Sequence, residues 1–314
     1  MITSIAVAII NYNTREHLRA CLETVLLENP DQVIVVDNAS SDGSVEMIQA
    51  EYPWVVLHVN KANRGFGAAA NQAIAKSSAK YVLLLNSDIR LQPWALKALA
   101  TYLDENPQVA IVGPRLVGPD GKLQTSCYPF PNVWNTLFVN TSLGRILGYI
   151  PLLRNYYLPA WPHTQARVIP WVTGAALAIR CKVFQAVGGF DETFFMYYEE
   201  VDLCYRLEAA GWEVHFAPVT TMVHVGGAST MQNRVEMAVQ LLASNWWFFQ
   251  KHRSGIHLAA FFGLLKGILL IRWILDHVRL RMTADGCKRA RLAACVAAWK
   301  AALRDRLREG PSRG

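Results

Sequence analysis

The sequence predicts an α/β protein with a mainly parallel sheet, and three observations carry that prediction. Apolar runs of strand length alternate with stretches of helical periodicity through residues 5–117. Such alternation implies βαβ units. The runs at 5–10, 33–36 and 81–85 are continuously apolar and read as buried strands. Each breaks off into polar residues: Asn11-Tyr12-Asn13, Asp37-Asn38 and Asn86-Ser87-Asp88. In open α/β sheets ligands bind in the crevice beyond the carboxyl ends of the strands.

The elements follow in order. Residues 5–10 form a strand, and 15–27 a helix with Asn13 and Glu16 spaced as a capping pair. Residues 33–36 are a strand running into turn chemistry from Asp37 to Ser44, and 44–50 are a short helix. Strands at 55–59, 81–85 and 109–117 alternate with helices at 66–76 and 93–106, the latter with Pro93 near its first turn. From 124 to 166 no period holds, which reads as a long loop over the active face or a surface excursion. Residues 171–179 form a strand with Gly174 where something approaches closely. Helices at 182–187 and 199–210 follow, the second closed by Gly211, then short strands at 212–217 and 221–224.

Past Gly227 the character changes, dividing the chain into a body, 1–230, and a C-terminal helical region, 231–314. Residues 235–252 and 289–308 are helical. Residues 258–275 are strongly apolar but interrupted by Lys266 and Arg272, a marginal composition for a spanning helix. They read as a helix in the membrane interface or one packed on the body, with the interface favoured by the aromatic and basic flanks.

The 314 residues, 52% hydrophobic, suffice for one large domain with appendages. The net charge of +7 is uneven: residues 251–314 carry 14 Lys and Arg against 4 acids, and the remainder 17 against 20. A near-neutral body with a basic tail points to an anionic partner at one end. Six scattered cysteines without a CxxC pair suggest neither zinc nor a disulfide framework, so a reducing compartment is the default. The N-terminus lacks a basic n-region and reads as a strand rather than a signal peptide.

Several side chains can carry chemistry. Asp37 can accept a hydrogen bond from a nucleobase or ribose, or simply form the turn. Arg64 and Gly65 open a helix at a glycine-rich loop that would admit phosphate, although the spacing fails the dinucleotide fingerprint at Ala70. Asp88 can bind Mg²⁺ or Mn²⁺ bridging a diphosphate, and His224, before Gly226-Gly227, is a candidate second ligand. Glu199, Glu200 and Asp202 crowd a helix N-terminus, where the dipole favours acids. Asp202 is also spaced to pair with Arg206. One of the three, facing the crevice, would suit a general base.

Together these stretches resemble family 2 glycosyltransferases, inverting enzymes of the GT-A fold. The resemblance rests on Asn11-Tyr12-Asn13, Asp37 to Ser44, Asn63-Arg64-Gly65 with Asn71, Asn86-Ser87-Asp88, Gly188-Gly189-Phe190-Asp191-Glu192, Tyr198 to Leu203 and His224, in that order. It covers about residues 4–230 and is closest to the rhamnosyltransferase-like branch that builds bacterial surface polysaccharides. It implies that Asp37, with Tyr12, Asn13 and Asn38, lies against the donor nucleobase, and that Asn86 and Ser87 belong to the donor site. Asp88 and His224 would hold the metal, Asp191 would lie near the acceptor, and Glu200 would be the base. Asn86 stands where the family motif has its first Asp, and Glu200 where the base is usually Asp. Pro170 stands where the family often carries an acid. The implied partners are a nucleotide-diphosphate sugar, dTDP-rhamnose before UDP-hexoses, and a polyprenyl-diphosphate-linked saccharide at the cytoplasmic face of the bacterial inner membrane. A non-catalytic polysaccharide-assembly scaffold is the main rival. Nucleic acid is disfavoured by the acidic body, and a nicotinamide dehydrogenase by Asn-Tyr-Asn after the first strand.

Overall fold

A computed structural model describes residues 4–132, 161–228, 234–283 and 286–303. Its main sheet runs β3-β2-β1-β4-β11-β6-β12-β5. These strands are β1 Ile5–Asn11, β2 Val33–Asp37, β3 Val56–Val59, β4 Tyr81–Asn86, β5 Ile89–Arg90, β6 Val109–Val117, β11 Ala176–Arg180 and β12 Glu213–His224. β1 pairs in parallel with β2 and β4, and β2 with β3. β11 then enters antiparallel between β4 and β6, and β6 pairs in parallel with β12. The order reverses about β1, between β2 and β4, so Asn11, Asp37 and Asn86 end side by side at one edge. That edge is the expected crevice.

Two apolar layers hold the sheet. Leu18, Leu22 and Val25 of α1 (Arg15–Leu27) and Leu96, Leu99 and Leu103 of α4 (Ala95–Glu105) cover one face. Ala69, Ala73 and Ile74 of α3 (Phe66–Ala75) and Leu203 and Leu207 of α6 (Glu199–Ala209) cover the other. The strands are buried on both sides, which is why they are continuous apolar runs. Two short helices complete the body, α2 (Ser44–Glu51) and α5 (Cys181–Ala186).

Several local expectations need correction. Asn13 and Glu16 do not cap α1. Thr14 occupies the cap position without a side-chain bond, Asn13 Oδ1 accepts from Ser41 N at 2.7 Å, and Glu16 pairs with Arg15 at 2.9 Å. Pro93 lies outside α4, whose start is set by Trp94 in a left-handed conformation at φ 69°. The strand expected over 171–179 is two, β10 (Trp171–Val172) and β11, separated at residues 173–175. Conversely the strands at 212–217 and 221–224 are one, β12, with an irregularity between Phe216 and Thr221. Most of the 124–166 excursion lies outside the described residues. At its margins sit β7 (Leu123–Gln124), β8 (Cys127–Tyr128), which pairs with β10, and β9 (Arg167–Val168), which pairs with β12.

Three C-terminal helices follow: α7 Arg234–His252, α8 Gly255–Met282 and α9 Gly286–Leu303. The end of the predicted 289–308 helix lies outside the described residues. α7 packs on the body through an aromatic cluster in which Phe248 meets Tyr198 and Tyr205 at 5.7 and 5.8 Å between ring centres. α8 packs on α7 through Phe261, stacked on Phe249 at 3.5 Å, with Leu265 and Leu269 beside it. Its other side leaves Ile271, Ile274, Leu275, Val278 and Met282 exposed. Residues Leu258–Met282 are long and apolar enough to cross a membrane, by length and composition.

Leu83, wholly buried in β4 between β1 and β11, gives a direct test of the core. Leu83→Ala is expected to lower unfolding free energy by about 3 kcal/mol in urea titration. A loss under about 1 kcal/mol would mean the sheet centre is not close-packed.

Candidate active site

The acid read from the end of β4 is brought to its partner by two backbone pairings. Ile89 and Arg90 pair antiparallel with His224 and Val223. This sets Asp88 Oδ1 3.4 Å from His224 Nε2. The Gly226-Gly227 turn, left-handed at φ 80° and 79°, folds back so that Gly226 N donates to Asp88 Oδ2 at 3.0 Å.

The histidine's orientation is defined by Gln124. Its Nε2 donates to the His224 carbonyl at 2.8 Å, which turns Oε1 toward His224 Nδ1, also at 2.8 Å. On that assignment Nδ1 carries the hydrogen, and the buried Nε2, without a hydrogen-bond partner, turns its lone pair toward Asp88. The 3.4 Å separation is an ion pair only when the ring is protonated. In the neutral ring two acceptors face each other, an arrangement that a bound cation would satisfy. Burial pushes the Asp88 carboxyl up, but the facing His224 side chain and the N–H groups of Ala228 and Gly226 draw it below the ordinary carboxylate range. A carboxylate and a neutral imidazole oriented by an amide form a donor set that suits Mg²⁺ or Mn²⁺. No group of three or more potential metal ligands occurs among the described residues.

The β2 end is built as a rigid turn. Asp37 is fully buried, accepting from Asn11 Nδ2 and Ser40 N, both at 2.8 Å. Asn38 donates to the Gly65 carbonyl at 3.0 Å and accepts from Asn60 at 2.9 Å. Asn13 N donates to Ser40 Oγ at 2.8 Å, and Ser87 Oγ meets Thr14 Oγ1 at 2.6 Å. Tyr12 is half-buried beside them. The three strand ends are thus cross-linked before any ligand arrives.

The glycine-rich loop and the loop 187–198 hold each other. Gly65 has φ 84°, and a Cβ there would lie 2.2 Å from the Phe195 carbonyl oxygen. Asn71 spans a peptide, donating to Phe190 O and accepting from Phe190 N, each at 2.9 Å. Arg64 reaches Glu192 at 3.4 Å. Asn71 and Gly65 therefore shape the wall of the crevice.

The three acids of α6 have different surroundings. Tyr197 and Tyr198, both left-handed at φ 66° and 70°, deliver the chain into the helix. Such backbone in bulky residues is strained and clusters at functional sites. Glu199 is buried against Gly67, with Oε2 unpartnered. Burial, and then the charge of Glu200, raise its carboxyl well above the ordinary range. Glu200 is half-buried, and Gly174 N lies 3.4 Å from its Oε1. Burial raises this carboxyl too, opposed by nearby backbone N–H groups including that of Gly174. The next residue, Ala175, accepts from Asn86 N at 3.0 Å, linking Glu200 to the β4 end. Gly174 itself is not crowded: Phe66 and Glu200 would meet a Cβ at ordinary distances of 3.5 and 3.8 Å, which corrects the close approach expected there.

Asp202 is different. Its wholly buried carboxylate accepts from Arg206 Nε at 2.8 Å and from His252 Nε2 and Lys251 Nζ at 2.7 Å. Burial would raise it, but His252, Lys251 and Arg206 hold it down at about 2. Asp191 also binds Lys251, at 2.7 Å. The parts missed from sequence are Gln124, which orients His224, and Lys251 and His252, which lie outside the motif-bearing stretch.

Strands ending at a switch point, with an acid-histidine pair beside buried helix acids, make up this crevice. The chain carries a glycosyltransferase domain of the GT-A fold. Residues 6–156 match the family model Glycosyl transferase family 2. It is a rhamnosyltransferase-like protein by similarity. The N-acetylglucosaminyl-diphospho-decaprenol L-rhamnosyltransferase of Mycobacterium tuberculosis is 28% identical over 312 residues, covering 91% of this chain and 96% of that protein. The rhamnosyltransferase WbbL of Escherichia coli is 26% identical, covering 69% and 82%. The mannosyltransferase PcManGT of Pyrobaculum calidifontis, solved with GDP-Man and Mn²⁺, shares the fold at a TM-score of 0.54 and 15% identity, covering 98% and 88%.

The Gly65–Phe195 contact predicts the effect of one methyl group. Gly65→Ala is expected to cost at least about 2 kcal/mol, because both the positive φ and the carbonyl oppose it. A wild-type thermal melting curve would show that the two loops are not in contact.

Proposed function

We propose that this protein transfers a sugar from a nucleotide-diphosphate donor to a hydroxyl of a polyprenyl-diphosphate-linked saccharide, with inversion. dTDP-rhamnose is the leading donor. The observation that carries the chemistry is the half-buried Glu200, joined through Gly174 and Ala175 to the strand end bearing Asp88. The donor and acceptor classes follow the similarity to the mycobacterial rhamnosyltransferase, whose name specifies a diphospho-decaprenol acceptor and rhamnosyl transfer.

We assign the base to Glu200. Asp202 is engaged by three basic side chains and held at about 2, too acidic to accept a proton efficiently near neutrality. Glu199 is more deeply buried. Glu200, with its carboxyl raised, suits removal of the acceptor proton as its oxygen attacks. Asn11, Asp37 and Ser40 keep the β2 turn open for the donor base, with Tyr12, Asn13 and Asn38 beside it. Gly65 and Arg64 face the donor phosphates across the crevice from Asp88. Asp88 and His224 would hold the divalent cation, which when bound offsets charge growing on the departing diphosphate. A scaffold lacking catalysis would not require an acid with raised affinity for protons at this position.

We further propose that the exposed face of α8 rests on the cytoplasmic surface of the bacterial inner membrane. Ile271, Ile274, Leu275 and Val278 provide its apolar contact, and Arg279 and Arg281 lie toward lipid headgroups. This leaves the body, 1–230, as the catalytic unit and 231–314 as its attachment. Ile271→Asp with Ile274→Asp should abolish sedimentation with anionic vesicles and leave donor binding intact. Unchanged sedimentation would remove α8 as the contact.

Glu200→Gln should lower kcat/KM by roughly 10²- to 10⁴-fold while donor affinity measured by calorimetry is kept. In the wild type only ionised Glu200 is active, so activity rises with pH through its raised pKa. The acid limb of kcat/KM should consequently lie above the ordinary Glu value and disappear in Glu200→Gln. Full activity in that variant would exclude it as the base.

A further inference from the structure

Asp202, Lys251, His252 and Asp191 make one charged node among three parts of the molecule. Lys251 Nζ bonds both carboxylates at 2.7 Å, so it spans the loop 187–198 and α6 from the end of α7. His252 Nε2 adds a second bond to Asp202 at 2.7 Å. Arg206 completes the node by donating to the carbonyls of Val187 and Gly189, each at 2.6 Å, ahead of Asp191. Farther along α7, Ser244 Oγ donates to Met196 O at 2.7 Å, just before the left-handed Tyr197-Tyr198 pair. A cleft of about 240 Å³ opens beside the node, lined by Asp191, Thr193, Phe194, Trp247, Gln250 and Lys251.

We infer that Lys251 and His252 are positioning residues for transfer. They hold the loop 187–198 and the N-terminus of α6 in one register, and so place Glu200. The inference deepens the reading of Glu200 as the base and rests on it. Three facts carry it. The segment reaching Glu200 has strained backbone, which persists only where surrounding contacts over-determine it. Asp202 is completely buried, so its basic partners act on it with less solvent screening than a surface pair would have. Lys251 is the group that ties Asp191 to Asp202, since Arg206 and His252 reach Asp202 but not Asp191, and Arg206 holds only the start of the loop, through Val187 and Gly189. Losing it frees Asp191 while Asp202 keeps two partners, so the node loosens on the loop side without leaving a buried charge unpaired.

The experiment uses the full chain with Lys251→Met, Lys251→Arg, His252→Gln and Glu200→Gln. Amide exchange across 187–198 and donor affinity are measured for each, together with transfer from dTDP-rhamnose to a synthetic polyprenyl-diphosphate N-acetylglucosamine. Lys251→Met should speed exchange across 187–198 by about tenfold or more, leave exchange in β1 and β4 unchanged and keep donor affinity within about twofold. Its kcat should fall on the order of 10²-fold, as small misplacements of a catalytic group do. Lys251→Arg should restore most of both, which a merely volumetric role would not require. Wild-type exchange and kcat in Lys251→Met overturn the inference. If that variant does not fold, His252→Gln serves in its place, with faster exchange supporting the inference and wild-type exchange overturning it. Failure of the base assignment looks different: Glu200→Gln then retains transfer, while loop exchange still responds to Lys251.

Discussion

Two residue pairings, Ile89 with His224 and Arg90 with Val223, decide whether Asp88 and His224 meet in this crevice at all. Asp88 stands 136 positions before His224 in the chain, and β4 and β12 are not neighbours in the sheet. The chain leaves β4, turns at Ser87-Asp88 and adds two residues to the far edge of β12. Only then do the carboxylate and the imidazole face each other. The double-glycine turn and Gln124 settle what that pairing begins, one supplying an N–H to Asp88 and the other orienting the ring. Without the short strand, Asp88 would be the turn residue that an isolated aspartate usually is.

The second half of the crevice follows a different physical rule. Burial raises Glu199 and Glu200 together, whereas three basic side chains hold Asp202 down. Three acids within four residues are thus given unlike proton affinities by where the helix places them. The left-handed entry at Tyr197-Tyr198 sets that placement, and α7 braces it through Ser244, Lys251 and His252. The C-terminal region is therefore tied to the acid-bearing helix as well as carrying an exposed apolar face.

The sheet was legible in the sequence because strands buried on both faces are unbroken apolar runs, and β1, β2, β4 and β6 lie within a residue of expectation. The elements that were not legible are stabilised by distant partners. β5 has two residues and no period to detect, and β12 reads as two strands because Pro218 interrupts an otherwise continuous pattern. Asn13 resembled a helix cap because it stands three residues before Glu16, but its Oδ1 accepts from Ser41 N in the β2 turn instead. Among the site residues, Asp88 and His224 could be singled out by their strand ends, and the structure sets them together. Lys251 and His252 could not, since a basic pair at a helix C-terminus is also what the helix dipole favours.

The central claim is that Asp88 and His224 form one cation-dependent edge for the donor diphosphate. Its most direct measurement is calorimetric titration of dTDP-rhamnose into wild type and His224→Ala, each with Mn²⁺ and with chelator. The account predicts tight binding only for wild type with Mn²⁺, and weak binding in the other three conditions. Equal wild-type affinity with Mn²⁺ and with chelator would contradict it.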